Sequence, residues 1–187
     1  MSKTRSLSLS SANISSHSLR SEPSRRQDIM KYYALFVLMG FVGFSVSEVI
    51  QFRNCEYPKE TKLNCTVHEV RVNPCAEASQ EKPCRLQRGK DASIAFDYTA
   101  NFEGNTLESR AYWANQLIDL PFVGMETDAC AKTVCPVQPG QKQTYDISIP
   151  IMKAFPAKTY DVKWRMWNTQ NQECCFLFKI KLLKETE

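Results

Sequence analysis

The sequence predicts an all-β fold: an immunoglobulin-like, two-sheet antiparallel β-sandwich stapled by disulfides. Three observations carry this. Apolar and polar residues alternate at period two through six or seven segments, the spacing that turns one strand face to a core and the other to water. Proline- and glycine-containing breaks separate those segments, and the helical period is weak throughout. All eight cysteines lie after residue 54, and an even count behind a secretory leader points to disulfides.

The leader comes first. Residues 1–29 contain ten serines and no aromatic residue. Such a segment cannot bury enough apolar surface to offset its ordering entropy, so it reads as a disordered Ser/Arg-rich extension. Residues 30–47 read as a signal peptide. Lys31 supplies a positive n-region, Tyr32 to Val46 an apolar h-region, and Ser45 and Ser47 the small residues before cleavage ahead of Glu48. Translation from Met30 would make this signal conventional; from Met1 its n-region is long. The alternative is a type II signal anchor, but the apolar run of about 15 residues falls short of the roughly 20 a spanning helix needs.

The chain carries a formal +4, and all of it lies in residues 1–31; from Glu48 onward 18 basic residues balance 18 acidic ones. A nucleic-acid-binding domain is excluded on this ground, because phosphate binding needs a cationic surface.

Residues 48–187 suit one domain, long enough to bury about two-thirds of its unfolded surface. Val70 and Val72 mark a short strand before Pro74. Ile94, Phe96, Tyr98, Ala100 and Phe102 alternate with mainly polar neighbours in a second. Ser109 to Ile118 forms a less regular third. Tyr145, Ile147, Ile149 and Ile151 define the fourth, Tyr160, Val162, Trp164 and Met166 the fifth, and Phe176, Phe178, Ile180 and Leu182 the last. Two antiparallel sheets packed face to face accommodate this pattern. No internal repeat and no long linker divides it.

Catalytic chemistry is missing. His68 is the one histidine after the leader, placed in a strand where packing or exposure explains it. No GxSxG elbow and no phosphate-cradling glycine loop occurs. There is no CxxC, and adjacent Cys174 and Cys175 cannot both easily reach one tetrahedral ion, so no metal site is expected. The chain is read as a non-enzyme without a cofactor.

Three motifs occur in order. Asn73-Pro74-Cys75 precedes Pro83-Cys84-Arg85-Leu86-Gln87-Arg88-Gly89; Ala129-Cys130 is followed by Cys135-Pro136-Val137; and Val162-Lys163-Trp164 precedes a final strand that opens with cysteine. Together they resemble the ML-domain (lipid-recognition) family of secreted proteins, from Gln51 to about Leu183, and most closely its sterol-carrier branch. The resemblance implies bridges Cys55–Cys175, Cys75–Cys84 and Cys130–Cys135. Cys65 and Cys174 depart from the family's six-cysteine pattern, and a fourth bridge between them is the hypothesis that elimination leaves. Strand parity puts Cys174 on the apolar face and Cys175 on the other, so an exchange of partners between Cys55 and Cys65 stays open. Asn64-Cys65-Thr66 is a glycosylation sequon.

The resemblance also implies an apolar pocket between the sheets. Two segments support it directly: Leu120-Pro121-Phe122-Val123, and Ile149-Pro150-Ile151 with Phe155-Pro156. Large apolar residues in proline-interrupted loops are poor core candidates and suitable walls for a mouth. In the sterol-carrier branch the residues matching Phe122, Ile151 and Phe155 line the pocket, with Pro156 beside them. By strand pattern Val72, Ile94, Phe96, Trp164, Met166 and Phe176 extend the lining, with core packing an equally good reading for these six. The implied activity is binding without chemistry. A cholesterol-like sterol or fatty lipid enters tail-first, and transfer follows transient contact with a membrane or a membrane-bound acceptor. Phe122→Ala and Phe155→Ala are each expected to weaken sterol binding with little loss of fold. The expected form is a monomer, secreted or in the endolysosomal lumen, with membrane anchoring as the alternative. Two competing readings are a recognition module for microbial lipids or hydrophobic semiochemicals, and an adhesion domain with a filled core. An immunoglobulin-type adhesion domain wants a buried tryptophan between two bridged cysteines at a spacing this sequence lacks.

Overall fold

The structure is a computed structural model and describes residues 48–57 and 64–184. The extension 1–29 and the signal segment 30–47 lie outside the described residues. Among the described residues no helix is long and apolar enough to cross a membrane.

Among the described residues ten strands form two sheets: β1 Glu48–Val49, β2 Arg53–Asn54, β3 Cys65–Asn73, β4 Cys84–Gln87, β5 Asp91–Ala100, β6 Leu107–Trp113, β7 Leu120–Pro121, β8 Lys142–Pro150, β9 Thr159–Asn168 and β10 Glu173–Leu183. The first sheet runs β1-β3-β5-β8 and the second β2-β10-β9-β6-β7. Nearly all pairings are antiparallel, as a β-sandwich built from hairpins and crossovers requires. The exception is β4, which pairs parallel with β10 from Ile180↔Cys84 to Leu183↔Gln87. It occupies the same edge of β10 that β2 covers at Phe176 and Leu177, so two short strands share one long edge.

Alternation decides which side chains reach the interior. Along β8, Gln143, Tyr145, Ile147 and Ile149 are buried while Lys142, Thr144, Asp146, Ser148 and Pro150 are exposed. β5 buries Ala92, Ile94, Phe96, Tyr98 and Ala100 toward the opposing sheet. In β3 the pairing with β5 shifts register between Val67 and Glu69. The irregularity centres on His68, which is exposed and contacts Thr99 Oγ1 through Nε2 at 2.8 Å. A bulge resets strand parity, so Val67 and Val70 are both buried although three positions apart. The expected strand from Ser109 to Ile118 runs instead from Leu107 to Trp113, because Asn115 N donates to Asp119 Oδ1 and turns the chain away.

The two sheets converge at one end. Cys65 on β3 is bonded to Cys174 on β10 with Cα atoms 4.9 Å apart, about half the usual 10 Å between packed sheets. Cys55 is bonded to Cys175 within the second sheet, where Cys55 N also donates to Cys175 O. Parity explains this choice: Cys174 lies on the inner side with the interior of β3, and Cys175 on the side that β2 reaches. A third tie crosses the side of the sandwich at this end. Its loop is closed by Cys130–Cys135, and Lys132 O accepts from Asp146 N of β8. Cys75–Cys84 joins the end of β3 to the start of β4.

On the outer face of the first sheet, Arg71 donates to Asp97 at 2.7 Å, and Thr144 and Lys142 also reach that carboxylate. The hydrogen bond from Arg71 holds the Asp97 carboxyl well below the usual carboxylate range. Because the folded-state value is depressed, this contribution is complete above the unfolded value near 3.9 and disappears as pH falls below about 4. The stability gap between the parent and Asp97→Asn in urea is therefore expected to be the same at pH 7 and pH 5 and to shrink below pH 4. A gap that already narrows between pH 7 and pH 5 contradicts this assignment.

Candidate ligand pocket

Opposite the convergent end, the inner faces diverge around a cavity of about 30 Å³. Of the residues expected to contact ligand, Val72, Ile94, Phe122, Ile151 and Trp164 border this cavity. Leu86, Ala92, Ala111, Val162, Phe178 and Ile180 complete much of the wall, and Ser93 is the one polar residue on it. The space exists because Ala92 on one sheet and Ala111 on the other are small where their neighbours are bulky. A cavity of this size holds about one water molecule, an order of magnitude below the roughly 300–1,000 Å³ of ligand pockets. A lipid can enter only if the sheets part at this end.

Two loops form the lips. One carries Phe122, whose backbone N–H bonds to Ala111 O. The other is the turn after β8, where Phe155 N bonds to Met152 O. Between them Trp113, Phe122, Phe155 and Tyr160 form an aromatic closure: Trp113 lies 5.1 Å from Phe122, 5.3 Å from Phe155 and 4.4 Å from Tyr160, and Phe122 lies 5.1 Å from Phe155. Such edge and tilted contacts are favourable pair geometries. Phe155 is only half-buried and belongs to this closure rather than to the cavity wall. Pro156 lies beside it, and its carbonyl accepts from the Tyr160 hydroxyl. Arg88 straps the second lip by donating to Lys153 O and Phe155 O, both at 3.0 Å.

Phe122 is 6% exposed, so the expectation that its truncation spares the fold is revised: Phe122→Ala removes packing as well as any ligand contact. Phe155→Ala is the cleaner probe.

Phe96, Met166 and Phe176 lie deeper. All three are fully buried, and Phe96 stacks on Tyr145 at 5.0 Å and meets Phe176 edge-on at 5.0 Å. They form a packed aromatic core beneath the cavity. Below them the interior turns polar. Trp164 Nε1 donates to Ser109 Oγ at 2.8 Å, and the Tyr98 hydroxyl donates to Gln143 Oε1 at 3.0 Å. Burial pushes the Tyr145 hydroxyl up to about 12, partly offset by Ser109 nearby, so this phenol is neutral at physiological pH.

The lip before Phe122 exposes apolar side chains to solvent: Leu117 is 94% exposed, Ile118 66% and Leu120 52%, with Val123 just beyond at 64%. Alternation cannot reveal them because Leu117, Ile118 and Val123 lie outside any strand and Leu120 belongs to the two-residue β7. Ala92 and Ala111 also escape a reading by size and period, since a small inward residue looks the same whether it packs tightly or leaves a gap. Two larger concavities lie elsewhere: one of about 250 Å³ bordered by Ile50, Phe52, Leu177 and Phe178 together with Arg53, Lys82 and Asp161, and one of about 750 Å³ among polar and charged side chains such as Glu108, Arg110, Asp128 and Asn171. Among the described residues no group of three or more His, Cys, Asp or Glu side chains is placed to hold a metal ion.

Residues 49–182 match the ML domain family. An MD-2-related lipid-recognition protein of Manduca sexta is 40% identical over 136 residues, covering 71% of this chain and 85% of that protein. The NPC intracellular cholesterol transporter 2 of Sus scrofa is 25% identical over 154 residues, covering 82% and 97%. Among solved structures, a Niemann-Pick type C2 protein from the Japanese carpenter ant superposes with a TM-score of 0.62 at 17% identity, over 72% of this chain and all of that one. The fold, the bridges and these similarities agree: the chain belongs to the ML-domain family.

Proposed function

We propose that this protein is a non-catalytic lipid carrier whose cargo, a cholesterol-like sterol, is taken up between the two sheets through the Phe122–Phe155 mouth and passed on at a membrane or acceptor protein. The observation that carries this reading is the cavity itself: apolar on nearly every side, set where the sheets diverge, and closed by aromatic side chains from two loops and from the ends of β6 and β9. Parting the lips disrupts few backbone bonds, whereas parting the far end would break covalent bridges. Removing apolar surface of cargo and wall from water is worth about 25 cal/mol per Å², which drives uptake without chemistry. The exposed Leu117, Ile118, Leu120 and Val123 beside the mouth fit transient contact with a bilayer. A glycan at the Asn64 sequon would lie at the convergent end beside Cys65 and leave the mouth clear.

A second reading, recognition of an anionic microbial lipid, has one specific observation in its favour. Arg88 and Lys153 are brought together on the second lip, and Lys158 stands over the Tyr160 ring at 4.9 Å, so cationic groups rim the mouth.

The test is equilibrium binding of a fluorescent sterol. Phe155→Ala is expected to weaken binding about tenfold, the loss of roughly one aromatic burial at 1.5–3 kcal/mol discounted for partial exposure, with stability changed by no more than about 1 kcal/mol. Unchanged affinity would remove Phe155 from the binding path, and no binding by the parent would remove the sterol reading.

A further inference from the structure

The cavity of about 30 Å³ is too small for cargo, and parting the lips widens its entrance without giving it depth. A neighbouring void supplies that depth. The crevice of about 250 Å³ is bordered by Ile50, Phe52, Leu177 and Phe178. Among the described residues, Phe178 is the one that borders both the crevice and the cavity. It is 6% exposed, and its ring lies 6.0 Å from that of Phe176.

The crevice follows from how β10 is paired. β2 covers its edge at Phe176 and Leu177, and β4 covers it from Ile180 to Leu183. Phe178 and Lys179 are left as a two-residue gap between the two short strands. The segment from Ile50 to Arg53 and the 3₁₀ turn Ala78–Gln80 frame this gap. Its floor is apolar. At its rim Lys179 pairs with Asp161 at 2.6 Å and Arg53 with Glu56 at 4.0 Å, so these cations already have counter-charges. Such a site suits a hydrocarbon chain better than an ionic headgroup.

We infer that the crevice is a tail subsite of the lipid pocket and that Phe178 is the gate between the two. Cargo entering tail-first by the mouth turns the Phe178 ring aside and lays the end of its hydrocarbon chain in the crevice. Turning a side chain about its χ angles moves no strand and breaks no ladder hydrogen bond; the cost is the ring contact with Phe176. Joined, the two voids come close to the roughly 300 Å³ at which ligand pockets begin. The inference rests on the sterol reading above and extends it: the ring system fills the cavity and the side chain of the sterol fills the crevice.

The test is equilibrium binding of tritiated cholesterol and of tritiated androst-5-en-3β-ol, which keeps the ring system and hydroxyl but lacks the side chain. Ala78→Trp fills the crevice from its outer side. It is expected to weaken cholesterol binding about tenfold and to leave the tailless sterol within about twofold. Phe178→Leu shortens the gate and is expected to tighten cholesterol binding about fivefold, because the ring contact no longer has to be broken, again without effect on the tailless sterol. A core merely loosened at Phe178 would weaken both ligands. The thermal midpoint reports whether each variant is folded, and Phe178→Leu decides alone if Ala78→Trp is not. Cholesterol binding unchanged in folded Ala78→Trp, both sterols shifted alike, or no tightening in Phe178→Leu overturns the inference and leaves the sterol reading intact. A parent that binds neither sterol overturns both.

Discussion

Removing either long-range bridge alone, as Cys65→Ala with Cys174→Ala or as Cys55→Ala with Cys175→Ala, is expected to lower stability by about 3 kcal/mol, while removing both unfolds the domain. The two bridges span 109 and 120 residues, and each alone would restrict the unfolded chain by about 4–5 kcal/mol in the chain-entropy model. They are nested, however. With Cys55–Cys175 closed, forming Cys65–Cys174 closes only a small residual ring of about ten residues, worth about 3 kcal/mol. The first bridge lost is therefore the cheaper and the second the dearer. The combined loss of about 7–8 kcal/mol is comparable to the whole stability of a typical domain. Chemical unfolding of the three variants reads this directly. If the four-alanine variant stays folded, with a loss no larger than the sum of the two pairs, the bridges act independently and the nested picture is wrong.

Phe96→Ala is expected to cost about 3–5 kcal/mol. Phe96 is fully buried at the centre of the sandwich, touching the rings of Tyr98, Tyr145, Trp164 and Phe176. Truncation leaves a cavity that rigid neighbouring strands can only partly fill. The contrast with Phe155→Ala separates the two layers of the interior: a large stability loss below the cavity, a large affinity loss at its mouth. Urea denaturation of both variants measures it. A Phe96→Ala loss below 1 kcal/mol would mean that the aromatic layer is loosely packed and that cargo already reaches it.

How much of this was open to reading from residues alone follows from the range of each signal. The long strands β5, β8 and β9 are plain because period-two patterning is local and repeats over nine or more residues, and β10 shows it in its second half although Cys174 to Phe178 are all buried. β4 is obscure: four residues give only Cys84 and Leu86 as inward positions, and its parallel partner Ile180 lies far along the chain. The His68 bulge is invisible because it inverts parity without any marker residue. At the pocket, Phe122, Ile151 and Phe155 announce themselves as large apolar residues in broken segments. Phe96 and Ile94 look equivalent by alternation, since period two reports which face a residue occupies and nothing about depth along the sandwich. Depth came only with register, which sets Phe96 opposite Tyr145 and Ile94 opposite Ile147.

The central claim, an apolar interior that carries a sterol, is tested most directly by extracting the native protein with organic solvent and identifying the released lipid by mass spectrometry. A sterol recovered at close to one molecule per chain is the predicted result. An anionic glycolipid in its place, or no lipid at all from protein shown to be folded, would contradict it.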